Sequence, residues 1–347
     1  MSGPTSGTAP RSSYVLPLRW ERDAGRLDEL TRYLLWLRDY CEVIVVDGSP
    51  QPAFDRHAAA WAGVVHCRPD PDLRYLNGKV NGVLTGLRRA SAGLIVLADD
   101  DVRYNLAALH AVVAALRSAD LVVPQNVFAV WPWHARWDTA RSLLNRSYGR
   151  DYPGTLGLRR SSVELSDGYD GDVLFENLEL IRTVTALGGR VHNAPDLYVA
   201  RLPPSTDGFW AQRVRQAYDS LAQPARLLAE LSLLPALGVL SRRHPLLGPM
   251  AAALGATAVA EIGRRRAGGD TVYPRTAALW MPAWLVERGI CSWVAIWQRS
   301  AHGGVRYAGH RIRGAAPSTS QISRAVRAVG RPGHETGPGH DGHRRTA

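Results

Sequence analysis

Lysine is almost missing from this chain of 347 residues: Lys79 is the single one among 42 Lys+Arg. A bias in the coding sequence explains the excess of arginine but not why one lysine remains. Cysteine is scarce too. Cys41, Cys67 and Cys291 are too few for a disulfide framework and lack metal-ligand spacing, which points to a reducing, cytoplasmic setting. The chain also lacks an uninterrupted apolar run of the roughly 20 residues that cross a bilayer comfortably. Leu227 to Leu240 and Pro245 to Ala260 fall short, and Glu287-Arg288 interrupts the stretch from Thr276 to Trp297. No long apolar core of a signal peptide precedes the first strand. Zinc-finger spacing, a recognition-helix signature and an aromatic RNA-binding motif are all absent, so the net charge of +11 is not read as nucleic-acid binding.

What is present alternates. Short β-branched runs at Tyr14–Leu16, Val43–Val46, Val64–His66, Leu94–Ala98 and Leu121–Val123 are separated by helical apolar spacing over Leu27–Tyr40, Val80–Ala90 and Leu106–Arg117. This alternation predicts an α/β fold with a doubly wound, mostly parallel sheet. Four parts are expected: a disordered leader (1–13), an α/β domain (14–220), a hydrophobic, membrane-associated helical region (221–313) and a disordered basic tail (314–347).

Ligands of such sheets sit beyond the carboxyl ends of the strands, where Asp47 and the Asp99-Asp100-Asp101 run both fall. Three carboxylates delivered together by one apolar strand repel, and a divalent cation relieves them most cheaply. Asp99 and Asp101 are two apart, so an extended chain points both the same way, toward one Mg2+ or Mn2+ that also holds phosphate oxygens. A helix N-cap formed by Asp101 is the structural alternative.

Three stretches occur in order: Val-Ile-Val-Val-Asp47-Gly48-Ser49, then Asn77-Gly78-Lys79-Val80-Asn81, then Asp99-Asp100-Asp101. Gly157-Leu-Arg159-Arg160-Ser161 and Phe175-Glu176-Asn177-Leu-Glu179-Leu180 follow. Over about residues 14 to 220 this series resembles the inverting glycosyltransferases of family 2, which have a GT-A fold. The resemblance implies that Asp47 contacts the nucleotide base and ribose. It puts Lys79 and Asn81 near the base or diphosphate, Asp100 in the donor site, and Asp99 and Asp101 on metal and phosphate. The family's usual base is the Asp of a Glu-Asp pair, a position held here by Asn177. That leaves Glu176, Asp170 and Asp172 as candidates for taking the acceptor proton. Trp210-Ala-Gln212-Arg213-Val-Arg215-Gln216 resembles the Gln-x-x-Arg-Trp motif of membrane-associated members such as the ceramide glucosyltransferase-like and hopanoid-associated enzymes, with Gln216 in place of the tryptophan. Gln212 and Arg215 are therefore donor-site candidates, and His192 is a candidate third metal ligand.

The apolar runs of the last third, the four tryptophans at 280, 284, 293 and 297, and the arginine clusters between the runs suit interfacial or re-entrant helices on an anionic cytoplasmic leaflet. The expected partners are a nucleotide sugar, a lipid or membrane-proximal acceptor and the membrane surface. The sequence names no protein partner. A catalytically silent, membrane-bound nucleotide-sugar binding or scaffold protein is the competing reading, motivated by Asn177. A sugar nucleotidyltransferase is disfavoured because no Gly-rich triphosphate loop follows the first strand.

Overall fold

The structure, a computed structural model, describes residues 12–21, 25–164, 168–307, 310–317, 321 and 322. In chain order the elements are β1 (Ser13–Leu18), α1 (Leu27–Leu37), β2 (Glu42–Asp47), α2 (Gln51–Ala60), β3 (Val65–Cys67), α3 (Gly78–Arg89), β4 (Leu94–Ala98), β5 (Val102–Arg103), α4 (Leu106–Ala115), β6 (Leu121–Phe128), α5 (Trp133–Tyr148), β7 (Thr155–Arg159), α6 (Ser161–Glu164), α7 (Glu176–Ala186), β8 (Val191–Arg201), α8 (Thr206–Tyr218), α9 (Pro224–Arg243), α10 (Leu247–Arg265), α11 (Met281–His302), β9 (Val305–Tyr307) and β10 (His310–Ile312). Short 3-10 turns at Asp219–Ala222, Arg266–Thr271 and Ala277–Trp280 join the later helices.

Eight strands form one mixed sheet in the order β3-β2-β1-β4-β7-β6-β8-β5. The half made of β3, β2, β1 and β4 is wholly parallel, so the carboxyl ends of these strands open on one rim. Their apolar runs are buried on both faces: Tyr14, Leu16, Val43, Val45 and Val96 pack with α1 and α4 on one side, and Val15, Ile44, Val46 and Ile95 with α3 and α7 on the other. Side chains that alternate across the pleat account for this division. Helix α3 lies so close to β1 that a Cβ at Gly86 would overlap the Val15 side chain. That approach fixes the start of α3, and with it Lys79, against the rim.

The helical region is joined to the sheet through a shared core: Ala140 and Leu143 of α5 pack with Ala260, Ala278, Met281 and Trp284. Arg146, also buried, bonds Gly263 O of α10 (3.1 Å), Gln125 Oε1 (3.1 Å) and Pro195 O (2.8 Å), tying α5, α10, β6 and β8 together. The opposite faces of α9 and α10 are apolar and exposed, among them Leu228, Val239, Leu246, Leu247, Met250 and Leu254. Helix α9, 20 residues long, is by length and composition long and apolar enough to cross a membrane.

Two expected boundaries fall inside packed structure. Ser13, placed in the leader, opens β1 and is buried. Gly314 and Ala315, placed in the tail, accept the N–H groups of Leu174 and Phe175 at 3.0 and 2.8 Å and so support the start of α7. The remainder of the expected leader, 1–11, and residues 323–347 of the expected tail lie outside the described residues.

Candidate functional site

Beyond the carboxyl ends of β1, β2 and β4 lies a cavity of about 670 Å³, within the range that holds a small ligand. Strand β4 is buried along nearly its whole length and delivers Asp99, Asp100 and Asp101 into the cavity wall. A tight turn, Val102 N–H to Asp99 O at 3.1 Å, holds the three together. Asp100 accepts from Trp20 Nε1 at 2.5 Å and pairs with Arg26 at 3.2 Å.

Asp99 and Asp101 meet cations from other elements. The Lys79 Nζ lies 2.5 Å from Asp99 Oδ1 and 2.7 Å from Glu176 Oε1. Asn77 caps α3 by accepting the Lys79 N–H at 3.1 Å, and its Nδ2 donates to Val173 O at 3.0 Å. The cap therefore positions the ammonium and ties α3 to the loop before α7. Burial pushes the Asp99 carboxyl up to about 6, with Lys79 opposing and Asp101 and Glu176 adding to the rise. Burial also works against the Lys79 charge, but Asp99 and Glu176 outweigh it and hold its pKa well above the usual value. Burial would raise Glu176, yet Lys79 more than compensates, so its pKa lies below the usual carboxylate range.

Asp101 Oδ2 pairs with Arg201 at 2.6 Å, while its Oδ1 is buried with no hydrogen-bond partner among the described residues. A Cβ at position 154 would come within 2.5 Å of Asp99 Oδ2, so the glycine there leaves the room that this carboxylate occupies. An orphaned buried carboxylate oxygen beside a second carboxylate is the donor set of a hard divalent cation, and Asp99 and Asp101 fit Mg2+ or Mn2+ on that ground.

Helix α8 supplies Gln212 and Arg215 to the same cavity, and Asn81 lines it from α3. Asn81 also clamps the preceding loop, accepting from Tyr75 N–H (3.1 Å) and donating to Tyr75 O (3.0 Å). The structure thus brings Lys79, Asn81, Asp99, Asp100, Asp101, Glu176, Gln212 and Arg215 together around one space.

Four other expected site residues lie elsewhere. The Asp47 side chain is fully buried, with Oδ2 bonded to His57 Nδ1 (2.7 Å) and His66 Nε2 (3.0 Å) and Oδ1 to the Ser49 N–H (2.9 Å). Burial opposes its charge, but these bonds prevail and keep its pKa well below the usual range. Gly48, not Asp47, faces the cavity. The ligand atoms of Asp47, His57 and His66 lie within 4.8 Å of one another, a grouping that could hold a metal ion, but two hydrogen bonds to one oxygen already account for it. Asp170 and Asp172 are spent on backbone: Asp170 Oδ1 accepts the Asp172 N–H (2.8 Å) in its own loop, and Asp172 Oδ1 the Leu76 N–H (2.9 Å) of the loop before α3. Neither lines the cavity. His192 is exposed near the start of β8, whereas Arg201 at the end of that strand meets Asp101. Nine residues of strand separate the two positions by roughly 25–30 Å, which excludes His192 from the Asp99–Asp101 centre.

Arg201 and Asp219 line the cavity without having been singled out from the sequence. Arg201 ends a strand whose polar residues hide its direction. Asp219 follows Arg215 by four residues, and that helical spacing was the available signal. Asn177 donates to Pro153 O at 3.0 Å and serves the backbone. Of the tryptophans that follow β6, Trp133 and Trp137 meet Phe209 edge-on (5.4 and 6.2 Å between ring centroids), and Trp131 packs edge-on against Tyr273 (6.2 Å).

Fold and site together define an α/β protein with an acidic, cation-bridged cleft at the carboxyl ends of its parallel strands. No family model matches the chain, and no curated protein matches it in sequence. Solved structures that resemble it include a mannosyltransferase, PcManGT, from Pyrobaculum calidifontis in complex with GDP-Man and Mn2+ (20% identity, 82% of this chain and 88% of that one, TM-score 0.48). Others are glucosyl-3-phosphoglycerate synthase from Mycobacterium tuberculosis with Mn2+, UDP and phosphoglyceric acid (21% identity, 63% and 78%, TM-score 0.42) and mannosyl-3-phosphoglycerate synthase from Rubrobacter xylanophilus (15% identity, 62% and 76%, TM-score 0.42).

Proposed function

We propose that this chain is a glycosyltransferase that moves a sugar from a nucleoside-diphosphate donor to a hydroxyl of a lipid or membrane-proximal acceptor, with inversion, at the cytoplasmic face of a membrane. The observation that carries the reading is the convergence of Asp99 and Asp101 with Lys79, Arg201 and Arg215 in one cavity. A departing diphosphate needs its developing charge neutralised, and fixed cations aimed at that position do so without reorganisation. Asp99 and Asp101 would hold Mg2+ or Mn2+, which supplies further positive charge to the leaving group when bound. Arg215 offers a planar fork for two phosphate oxygens, and Lys79, held by Asp99 and Glu176, adds a compact charge beside them.

The acceptor class is inferred from the exposed faces of the helical region. The exposed leucines of α9 and α10, with Arg242 and Arg243 exposed at the turn between the helices, suit an apolar face set in an anionic bilayer surface. The test uses detergent-purified protein, Mn2+, UDP- and GDP-linked sugars and membrane lipid extracts. Release of nucleoside diphosphate together with a new glycolipid is the expected result. Release of neither, with any donor, would overturn the assignment.

A further inference from the structure

The geometry points to Asp219 as the group that takes the proton from the acceptor hydroxyl. This rests on the glycosyltransferase reading above and identifies a base where that reading lacks one, since Asn177 has no basic oxygen to offer.

Six carboxylates line the cavity: Glu21, Asp99, Asp100, Asp101, Glu176 and Asp219. Five are engaged. Glu21 pairs with Arg19 (3.0 Å), Asp99 and Glu176 share Lys79, Asp100 holds Trp20 and Arg26, and Asp101 holds Arg201. The Asp219 carboxylate accepts no hydrogen bond and makes no ion pair among the described residues. Its placement is helical: α8 continues through Asp219, whose N–H reaches Arg215 O, so Gln212, Arg215 and Asp219 form one stripe at i, i+3 and i+7 facing the cavity. Asp219 also opens the 3-10 turn that leads directly into α9, the first of the exposed apolar helices.

The charges around Asp219 suit a base working near neutral pH. Burial pushes its carboxyl up to about 7. Arg215 on α8, Arg141 on α5 and Arg288 on α11 oppose the rise, and Glu176 on α7 adds to it. A proton acceptor titrating near the working pH is both available and strong enough to help. In the step itself, the acceptor oxygen forms a bond to the anomeric carbon as its proton passes to an Asp219 oxygen. The bond from that carbon to the diphosphate oxygen breaks, and its electron pair leaves with the nucleoside diphosphate.

Asp219→Asn keeps the shape and removes the basic oxygen. With the donor and acceptor pair that the wild type uses, kcat is expected to fall by about 100-fold or more. The Kd for UDP or GDP with Mn2+ should stay within about threefold, as expected for a group that acts on the acceptor. The wild-type kcat should rise with pH to a plateau with a midpoint near 7, a limb that Asp219→Asn loses and Asp219→Glu displaces. Thermal melts establish that each variant is folded. If Asp219→Asn does not fold, the wild-type profile decides, and a rate independent of pH between about 5.5 and 8.5 overturns the inference. A wild type that transfers while Asp219→Asn transfers equally well, with the same pH profile, overturns the inference alone. A wild type that binds nucleotide and transfers to no acceptor overturns the glycosyltransferase reading and this inference with it.

Discussion

Replacing Lys79 with methionine keeps a chain of similar length and leaves two carboxylates, Asp99 and Glu176, facing each other without the ammonium that now lies 2.5 and 2.7 Å from them. Removing one partner of a buried ion pair costs about 3–5 kcal/mol. These side chains retain 18%, 30% and 13% of their exposure, so solvent absorbs part of the loss. At pH 8 the expected cost is about 2–3 kcal/mol. For a chain of this size that corresponds to a fall in Tm of roughly 3–4 °C. The pH dependence has a definite sign. Asp99 already titrates high, at about 6, so its protonated form favours the fold, and that contribution is lost as pH rises through 6. Without Lys79 the Asp99 carboxyl rises further and the Glu176 carboxyl, now held below its usual range by Lys79, rises as well. The variant should therefore lose little at pH 5, where they take up protons, and the full amount at pH 8. Millimolar Mn2+ should restore part of the Tm at pH 8. Differential scanning fluorimetry at both pH values reads all three effects. A variant that melts within 1 °C of wild type at pH 8, or loses as much at pH 5 as at pH 8, refutes the reasoning.

Lys79→Arg retains the charge but replaces a compact ammonium with a planar fork, so the Kd for UDP or GDP measured by calorimetry should rise by about tenfold while Tm falls less than in the methionine variant. Asp47→Ala strands the buried His57 and His66 donors and should cost about 3 kcal/mol in urea denaturation at pH 7. Because the folded-state pKa of Asp47 is depressed, this penalty should shrink as pH falls below the ordinary carboxylate range. In α10, a Cβ at Gly263 would overlap Leu143 O, whereas one at Gly255 meets nothing within 4 Å. Gly263→Ala should therefore lose about 1–3 kcal/mol or more, and Gly255→Ala should gain up to about 1 kcal/mol, as thermal melts would show. Changing Leu246, Leu247, Met250 and Leu254 together to Gln should leave Tm nearly unchanged and release the protein from anionic vesicles in a flotation assay.

Strands β2 and β4 of the parallel half were legible because they are buried apolar runs that end at aspartates, and a buried strand leaves few other readings. Helix α2 was not, because Gln51 to Ala60 carries little apolar periodicity and buries only Ala53 and His57. Lys79, Asp99 and Asp101 were singled out by residue type and order, and the chain brings them together because α3 starts on the rim where β4 ends. Asp47 shows the limit of such reading: its position at a strand end suggested a ligand contact, but His57 and His66, 10 and 19 residues further on, close over it. Asp170 and Asp172 were misjudged for a related reason, since backbone N–H groups of their own loop and of the loop before α3 take up their carboxylate oxygens. Arg201 depends on β8 running its full length beside β6, a pairing between distant segments that no local pattern reveals.

The measurement that bears most directly on the central claim is a calorimetric titration of UDP and GDP into the purified chain, with and without Mn2+, repeated on Asp101→Asn. The account predicts that at least one nucleoside diphosphate binds when the cation is present, that binding weakens by 10-fold or more without it, and that the variant abolishes the cation dependence. Equal affinity with and without Mn2+, unchanged in Asp101→Asn, would contradict it.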